Sequence, residues 1–124
     1  MYYVKPLIAD DVHYVASIMS ETSNITALHS THHSLSEWKC IFDENACDVD
    51  EENFLVCTDN DVCAWLKLNG LQNKDTAWIS MLVVADKYKH QGVGNLLLNL
   101  LLNICILKAL IKSKFRQQKI MLQQ

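Results

Sequence analysis

The chain contains three glycines, and two of them, Gly92 and Gly94, stand two residues apart between a β-branched run and a long apolar segment. Glycine lets a backbone approach a ligand closely and adopt positive φ. The first amides of a helix are unsatisfied and carry partial positive charge, so a glycine pair at a strand-to-helix junction makes an anion site. Lys87, Lys89 and His90 precede the pair, and all 14 acidic residues lie at or before Asp86, whereas seven of the 11 basic ones lie after it. The local field therefore favours a polyanion such as a phosphate or diphosphate. Two familiar phosphate motifs do not fit: Leu97 stands where a dinucleotide fingerprint needs its third glycine, and no Gly-Lys-Ser/Thr follows as in a P-loop. A tight turn with close helix packing is the plain structural reading of the same glycines.

Other residues compete for a chemical role. His29, His32 and His33 sit in a polar stretch where an imidazole could take a proton from an ammonium group, but solvated loop histidines are commoner. Their spacing is not that of a structural zinc site, and no metal is expected. The acidic run Asp43, Glu44, Asp48, Asp50, Glu51 and Glu52 could steer a cation, although such runs usually solubilise. The five cysteines are odd in number and none is spaced C-x-x-C, so neither a disulfide frame nor a zinc site is indicated, and they read as core or half-buried residues. The basic tail from Lys108 to Lys119 has Phe115 as its one aromatic residue and no reader motif, which argues against nucleic acid.

The elements that position the glycines follow from periodicity. Tyr2 to Lys5 predicts a first strand at a sheet edge, with Pro6 behind it. A helix comes next, capped by Asp10 and apolar at Val12, Val15, Ile18 and Met19. Ser20 to His33 reads as a polar connection. Ser34 and Glu37 form a capping box for a second helix through Leu35, Trp38, Ile41 and Phe42. Three strands in a meander are expected over Phe54–Thr58, Val62–Leu68 and Ala77–Val84, with Phe54, Trp65 and Trp78 in the core. The unbroken apolar run Met81 to Val84 suggests a central strand covered on both faces, leading to the glycine loop and a helix from Val93. At 124 residues and 50% hydrophobic composition, one domain is expected over 1–124. No run approaches the roughly 20 apolar residues of a bilayer span, and the N-terminus lacks a secretory pattern, so a cytoplasmic protein without membrane attachment is expected.

The stretch Leu82-Val83-Val84-Ala85-Asp86-Lys87-Tyr88-Lys89-His90-Gln91-Gly92-Val93-Gly94 resembles the acyl-CoA motif of the GNAT family of N-acetyltransferases, Gln/Arg-x-x-Gly-x-Gly/Ala after the fourth strand. The order of elements over residues 1 to 95 matches as well. The resemblance implies an α/β (α+β) fold: a mixed, mostly antiparallel sheet flanked by helices. It further implies that Leu82, Val83 and Val84 offer backbone groups to a pantetheine arm. The amides of Lys89, His90, Gln91, Gly92, Val93 and Gly94 would then hold the diphosphate of acetyl-CoA, the co-substrate. Lys89 replaces the usual Gln or Arg, keeping a donor without the planar fork, and Asp86 replaces a common proline.

The implied activity is acetyl transfer to the primary amine of a small molecule or peptide, and no general base can be named. After the loop the family's fifth strand, its later tyrosine and its closing strands are not recognisable. Shifting the tail's codons by one nucleotide permits strand-like and Asn-containing sequence, so we read 95–124 as an out-of-frame helical tail lacking the C-terminal strands. The alternative is a naturally short protein whose helix from Val93 packs normally. In function, the alternative is an impaired remnant that binds CoA weakly or only self-associates, and the apolar run Leu96–Leu107 points to a homodimer.

Overall fold

The structure, a computed structural model, describes residues 2–72 and 78–96 together with the backbone of 120–122. The described elements are strand β1 (Tyr2–Pro6), helices α1 (Val12–Met19), α2 (Thr22–Leu28) and α3 (Leu35–Asn45), and strands β2 (Glu52–Cys57), β3 (Val62–Asn69), β4 (Trp78–Val84) and β5 (Ile120–Leu122). A 3-10 turn covers Asp86–Tyr88, and a helix opens at Val93. The strands form one sheet in the order β4-β3-β2-β1-β5, and every described pairing is antiparallel.

Alternation along the strands builds two cores. On one face Val12, Val15, Ile18 and Met19 of α1 and Trp38 of α3 pack against Leu55, Trp65 and Val83. On the other, Val4, Phe54, Val56, Leu66 and Leu68 meet Val93 and Leu96 of the helix that opens at Val93. Helices thus cover both faces, and the helix after the glycines is anchored by its own apolar side chains. Burial of these residues is the main source of stability, at roughly 25 cal/mol per Å² of apolar surface.

Several expectations change. The first strand is internal, because β5 pairs with Tyr2, Tyr3 and Val4; Pro6, which has no N–H to give, lies beyond the end of that pairing. No strand was expected at the end of the chain, and β5 supplies one of three residues; the rest of the expected tail, 97–119, lies outside the described residues. The apolar run in β4 meets both cores, Met81 and Val83 on one face and Leu82 and Val84 on the other, but the strand is not central. Among the described residues β4 is the outermost strand, with Val83 buried, Leu82 and Val84 half-buried, and Trp78 at its start 52% exposed rather than in the core.

The first helix lacks its expected cap as well. A 3-10 turn over Ala9–Asp11 precedes α1, no side chain of Asp10 or Asp11 caps it, and Asp11 instead turns to Lys5, 3.3 Å away. The polar stretch after α1 contains α2, closed by His29 in the left-handed conformation with φ 51°. The capping box of α3 forms as expected, Ser34 Oγ accepting from the Glu37 amide and Glu37 Oε1 from the Ser34 amide. Cys57 and Cys63 are buried but Cys40 and Cys47 are exposed on and after α3.

Candidate active site: the glycine turn and its supports

β4 delivers the chain to the glycines in three steps. Opposite β3, Lys67 pairs with Met81 and Leu68 with Ile79, so Ser80 is an extra, bulged residue. Such bulges twist a strand and re-aim the residues beyond them. The ladder then closes with the Ala85 amide on the Cys63 carbonyl at 2.8 Å. In the 3-10 turn the amides of Tyr88 and Lys89 donate to the carbonyls of Ala85 and Asp86 at 2.9 and 3.2 Å. The chain next reverses through two left-handed residues, His90 at φ 65° and Gly92 at φ 83°. Gly92 suits that conformation because it has no Cβ, whereas His90 holds it at a steric cost.

Beyond the reversal the helix begins with bare donors. The Leu96 amide donates to the Gly92 carbonyl at 3.0 Å, but the amides of Gly92, Val93, Gly94 and Asn95 have no backbone acceptor among the described residues. They stand at an open groove of about 300 Å³ lined by Val84, Tyr88, Lys89, His90, Gly92, Val93, Gly94 and Asn95. A Cβ built on Gly92 or Gly94 meets nothing within 4 Å, so these glycines are not explained by close packing and leave free space above the backbone. Unpaired amides, free space and the positive end of a helix fit a diphosphate.

The residues singled out from sequence are thus placed together along one path. Leu82, Val83 and Val84 lie on the outermost described strand, where main-chain groups facing away from β3 can pair with an extended ligand. The Val84 carbonyl already accepts from Asn24 Nδ2 at 3.3 Å. Gln91 turns back, its Nε2 donating to the Lys87 carbonyl at 3.0 Å. His90 and Gln91 are exposed and Val93 is buried beneath them. Lys89 differs from expectation: its amide is used inside the turn, and its Nζ lies 2.9 Å from both Asp86 Oδ1 and Ser23 Oγ.

Sequence reading missed the supports of this loop, which are all distant in the chain. On one side Glu21 accepts the Asp86 amide with both carboxylate oxygens at 3.2 Å, and Ser23 donates to the Asp86 carboxylate. On the other side Asp61 Oδ2 accepts from the Tyr88 hydroxyl at 2.9 Å and lies 3.4 Å from Lys87 Nζ. The electrostatics agree with this wiring. Asp61 is held below the usual carboxyl value chiefly by the Tyr88 hydroxyl, and the Tyr88 phenol is raised chiefly by the same bond. Asp86 is lowered by Ser23 and then Lys89. Glu21 is raised, mainly by its partial burial.

The other candidates take structural parts. His33 lies 3.3 Å from Glu37 and edge-on to Trp38, and His29 closes α2. Asp50 of the acidic run pins the turn after β3, accepting from the Gly70 and Gln72 amides at 3.0 and 3.2 Å. Among the described residues no group of His, Cys, Asp or Glu is placed to hold a metal, and no helix is long and apolar enough to cross a membrane.

The model of the acetyltransferase (GNAT) family matches residues 14–116. The chain belongs to the GNAT acetyltransferase family. No curated protein matches it. Among solved structures it is similar to an acetyltransferase from Thermus thermophilus, with a TM-score of 0.73 and 14% identity over 83% of this chain and 68% of that one. It is similar also to the spermidine N-acetyltransferase of Vibrio cholerae solved with CoA and spermine, at 0.70 and 14% over 82% and 62%. A possible acetyltransferase from Clostridium difficile gives 0.65 and 16% over 85% and 71%. These likenesses confirm the α/β GNAT fold, and the chain spans about three fifths of the length of the spermidine enzyme.

Proposed function

We propose that this GNAT chain binds acetyl-CoA at the glycine turn and transfers the acetyl group to a primary amine. The observation that carries the reading is the row of amides at Gly92, Val93, Gly94 and Asn95, without backbone acceptors among the described residues and facing a groove that no Cβ fills. In this reading the amides of His90 to Gly94 hold the diphosphate, and the edge of β4 at Leu82, Val83 and Val84 aligns the pantetheine arm. A β4 backbone amide polarises the thioester carbonyl. Acetyl-CoA supplies the activated acyl group; the chain's own part is to orient it and exclude competing geometries.

The acceptor is an amine of a small molecule or peptide. The fold likeness to a spermidine N-acetyltransferase makes polyamines one arm of a panel rather than an assigned substrate. Titration calorimetry with CoA tests the site, and thiol release from acetyl-CoA over polyamines, amino sugars and peptide N-termini tests the reaction. Heat on CoA titration and turnover with one amine class are expected; no binding at millimolar CoA overturns the proposal.

One observation favours a second reading, binding without turnover. Tyr88 is the last tyrosine of the chain, and its hydroxyl is committed to Asp61, so it is not free to protonate a leaving thiolate. CoA binding with no thiol release from any amine would select this reading. Either form is expected to be a dimer, which light scattering checks; the apolar run proposed to mediate it lies mostly at 97–107, outside the described residues.

A further inference from the structure

The turn between β2 and β3, Asp59-Asn60-Asp61, needs a residue such as Asp61 only for local reasons: its Oδ1 accepts the Val62 amide at 2.8 Å, and its carbonyl accepts the Thr58 amide at 2.8 Å. Those bonds leave Oδ2 spare and fix the direction in which it points. That oxygen meets the Tyr88 hydroxyl at 2.9 Å, across 27 residues of sequence. The Tyr88 ring packs against the core that holds Val93 and Leu96, and it lines the groove of the glycine turn. Tyr88 therefore has one end in the wall of the groove and the other on a carboxylate whose orientation its own turn has set.

We propose that Asp61 is a positioning residue for the glycine turn: through the Tyr88 hydroxyl it fixes the segment Asp86–Lys89, and so the direction in which the amides of Gly92 to Asn95 point. The inference rests on reading that turn as the CoA diphosphate site. The geometry explains why one tether is needed here. Glu21 and Ser23 hold the segment at Asp86, the first residue of the 3-10 turn, whereas the backbone then passes through two left-handed residues spanned only by the local bond from Gln91 to the Lys87 carbonyl among the described residues. Asp61 holds the segment at Tyr88, the last residue of the 3-10 turn and two before the first of those reversals. The bond is charge-assisted, with the acceptor ionised, which makes it stronger than a neutral pair. The lowered carboxyl of Asp61 and the raised phenol of Tyr88 are what such a bond produces.

The test is a double-mutant cycle on the full chain with CoA as the probe. Tyr88→Phe keeps the ring in the groove wall and removes the bond; Asp61→Ala removes the acceptor. Each is expected to raise the Kd for CoA about tenfold, the effect of one charge-assisted hydrogen bond, and the double variant by no more than either alone. Asp59→Ala, exposed in the same turn, should stay within about twofold, inside the range of surface substitutions.

Two further measurements separate positioning from mere stability. Native-state hydrogen exchange without ligand should show faster exchange at residues 90–95 in both single variants, and the thermal midpoint of Tyr88→Phe should shift by less than about 4 °C. If the wild-type chain binds CoA and both variants bind it as tightly, or if the losses add, the tether is wrong and the site stands. If the wild type does not bind CoA, the diphosphate reading falls and takes the tether with it.

Discussion

Asn24 donates its side-chain amide to the Ile18 carbonyl at 3.0 Å and to the Val84 carbonyl at 3.3 Å, so one buried residue of α2 ties the end of α1 to the end of β4. It is 4% exposed, and the Ile18 carbonyl also accepts the Glu21 amide at 3.3 Å. Asn24→Ala removes both side-chain bonds from a buried position and should lower the unfolding free energy by about 2 kcal/mol. A urea titration measures it; a loss below about 0.5 kcal/mol would show that water reaches the site and replaces the bonds.

The two glycines of the turn should respond in opposite ways. Gly92 has φ +83°, so Gly92→Ala strains the backbone although the methyl has room, and a loss of about 1–2 kcal/mol is expected. Gly94 has no such φ and lies in the first turn of the helix, so Gly94→Ala should stabilise by up to about 1 kcal/mol while its methyl enters the groove and weakens CoA binding. Thermal unfolding paired with CoA titration of both variants checks the contrast. Gly94→Ala with unimpaired binding would remove the groove from the cofactor path.

Acid should act through Asp61 and Asp86. Both carboxyls are held below the ordinary aspartate value of 3.8, Asp61 first by Tyr88 and Asp86 first by Ser23. The unfolded chain then binds more protons than the folded one in this range. The stabilisation is present in full above about pH 4 and drains as the pH falls below 3.8 through the lowered values. Glu21 is raised from 4.5 and carries the opposite sign, favouring the fold below that value and losing its contribution as the pH rises through the raised one. Urea midpoints from about pH 6 to pH 2.5 should fall less steeply in the Asp61→Asn, Asp86→Asn double variant than in the wild type; parallel curves would contradict these assignments.

Thiol chemistry should divide the cysteines by burial. Cys63, the bulged residue of β3, is fully buried, and burial pushes its thiol up to about 11. Cys40 and Cys47 are exposed. At about pH 8 a maleimide or alkylating reagent should label Cys40 and Cys47 within minutes, and Cys57 and Cys63 only after denaturant, because the thiolate is the reacting form and must be reachable. Peptide mapping by mass spectrometry reads the result; early labelling at Cys63 would mean that the β3–β4 ladder opens.

What sequence could show and what it could not are divided by distance along the chain. The Ser34–Glu37 capping box is a contact over three residues and forms as read. The glycine pair is equally local, and so was legible. Helix α2 was not, because Thr22–Leu28 is short and polar and owes its place to Asn24 and Ser23, whose partners Val84 and Asp86 lie 60 and 63 residues away. The internal position of β1 depends on β5 at the far end of the chain, and β4 reads as central from its apolar run yet sits at the described margin. Asp61 belongs to the Asp59-Asn60-Asp61 turn, and nothing in a turn motif announces a bond to Tyr88.

The same wiring sets an order of events during synthesis. Because the segment before the glycines is gripped by Glu21 and Ser23 from the first quarter of the chain and by Asp61 from its middle, it cannot acquire its shape while still an isolated peptide. The meander must first be assembled and α2 docked, and contacts of such long separation form slowly. The shape of the glycine turn is therefore acquired late, downstream of the meander and of α2, and reports on their completion.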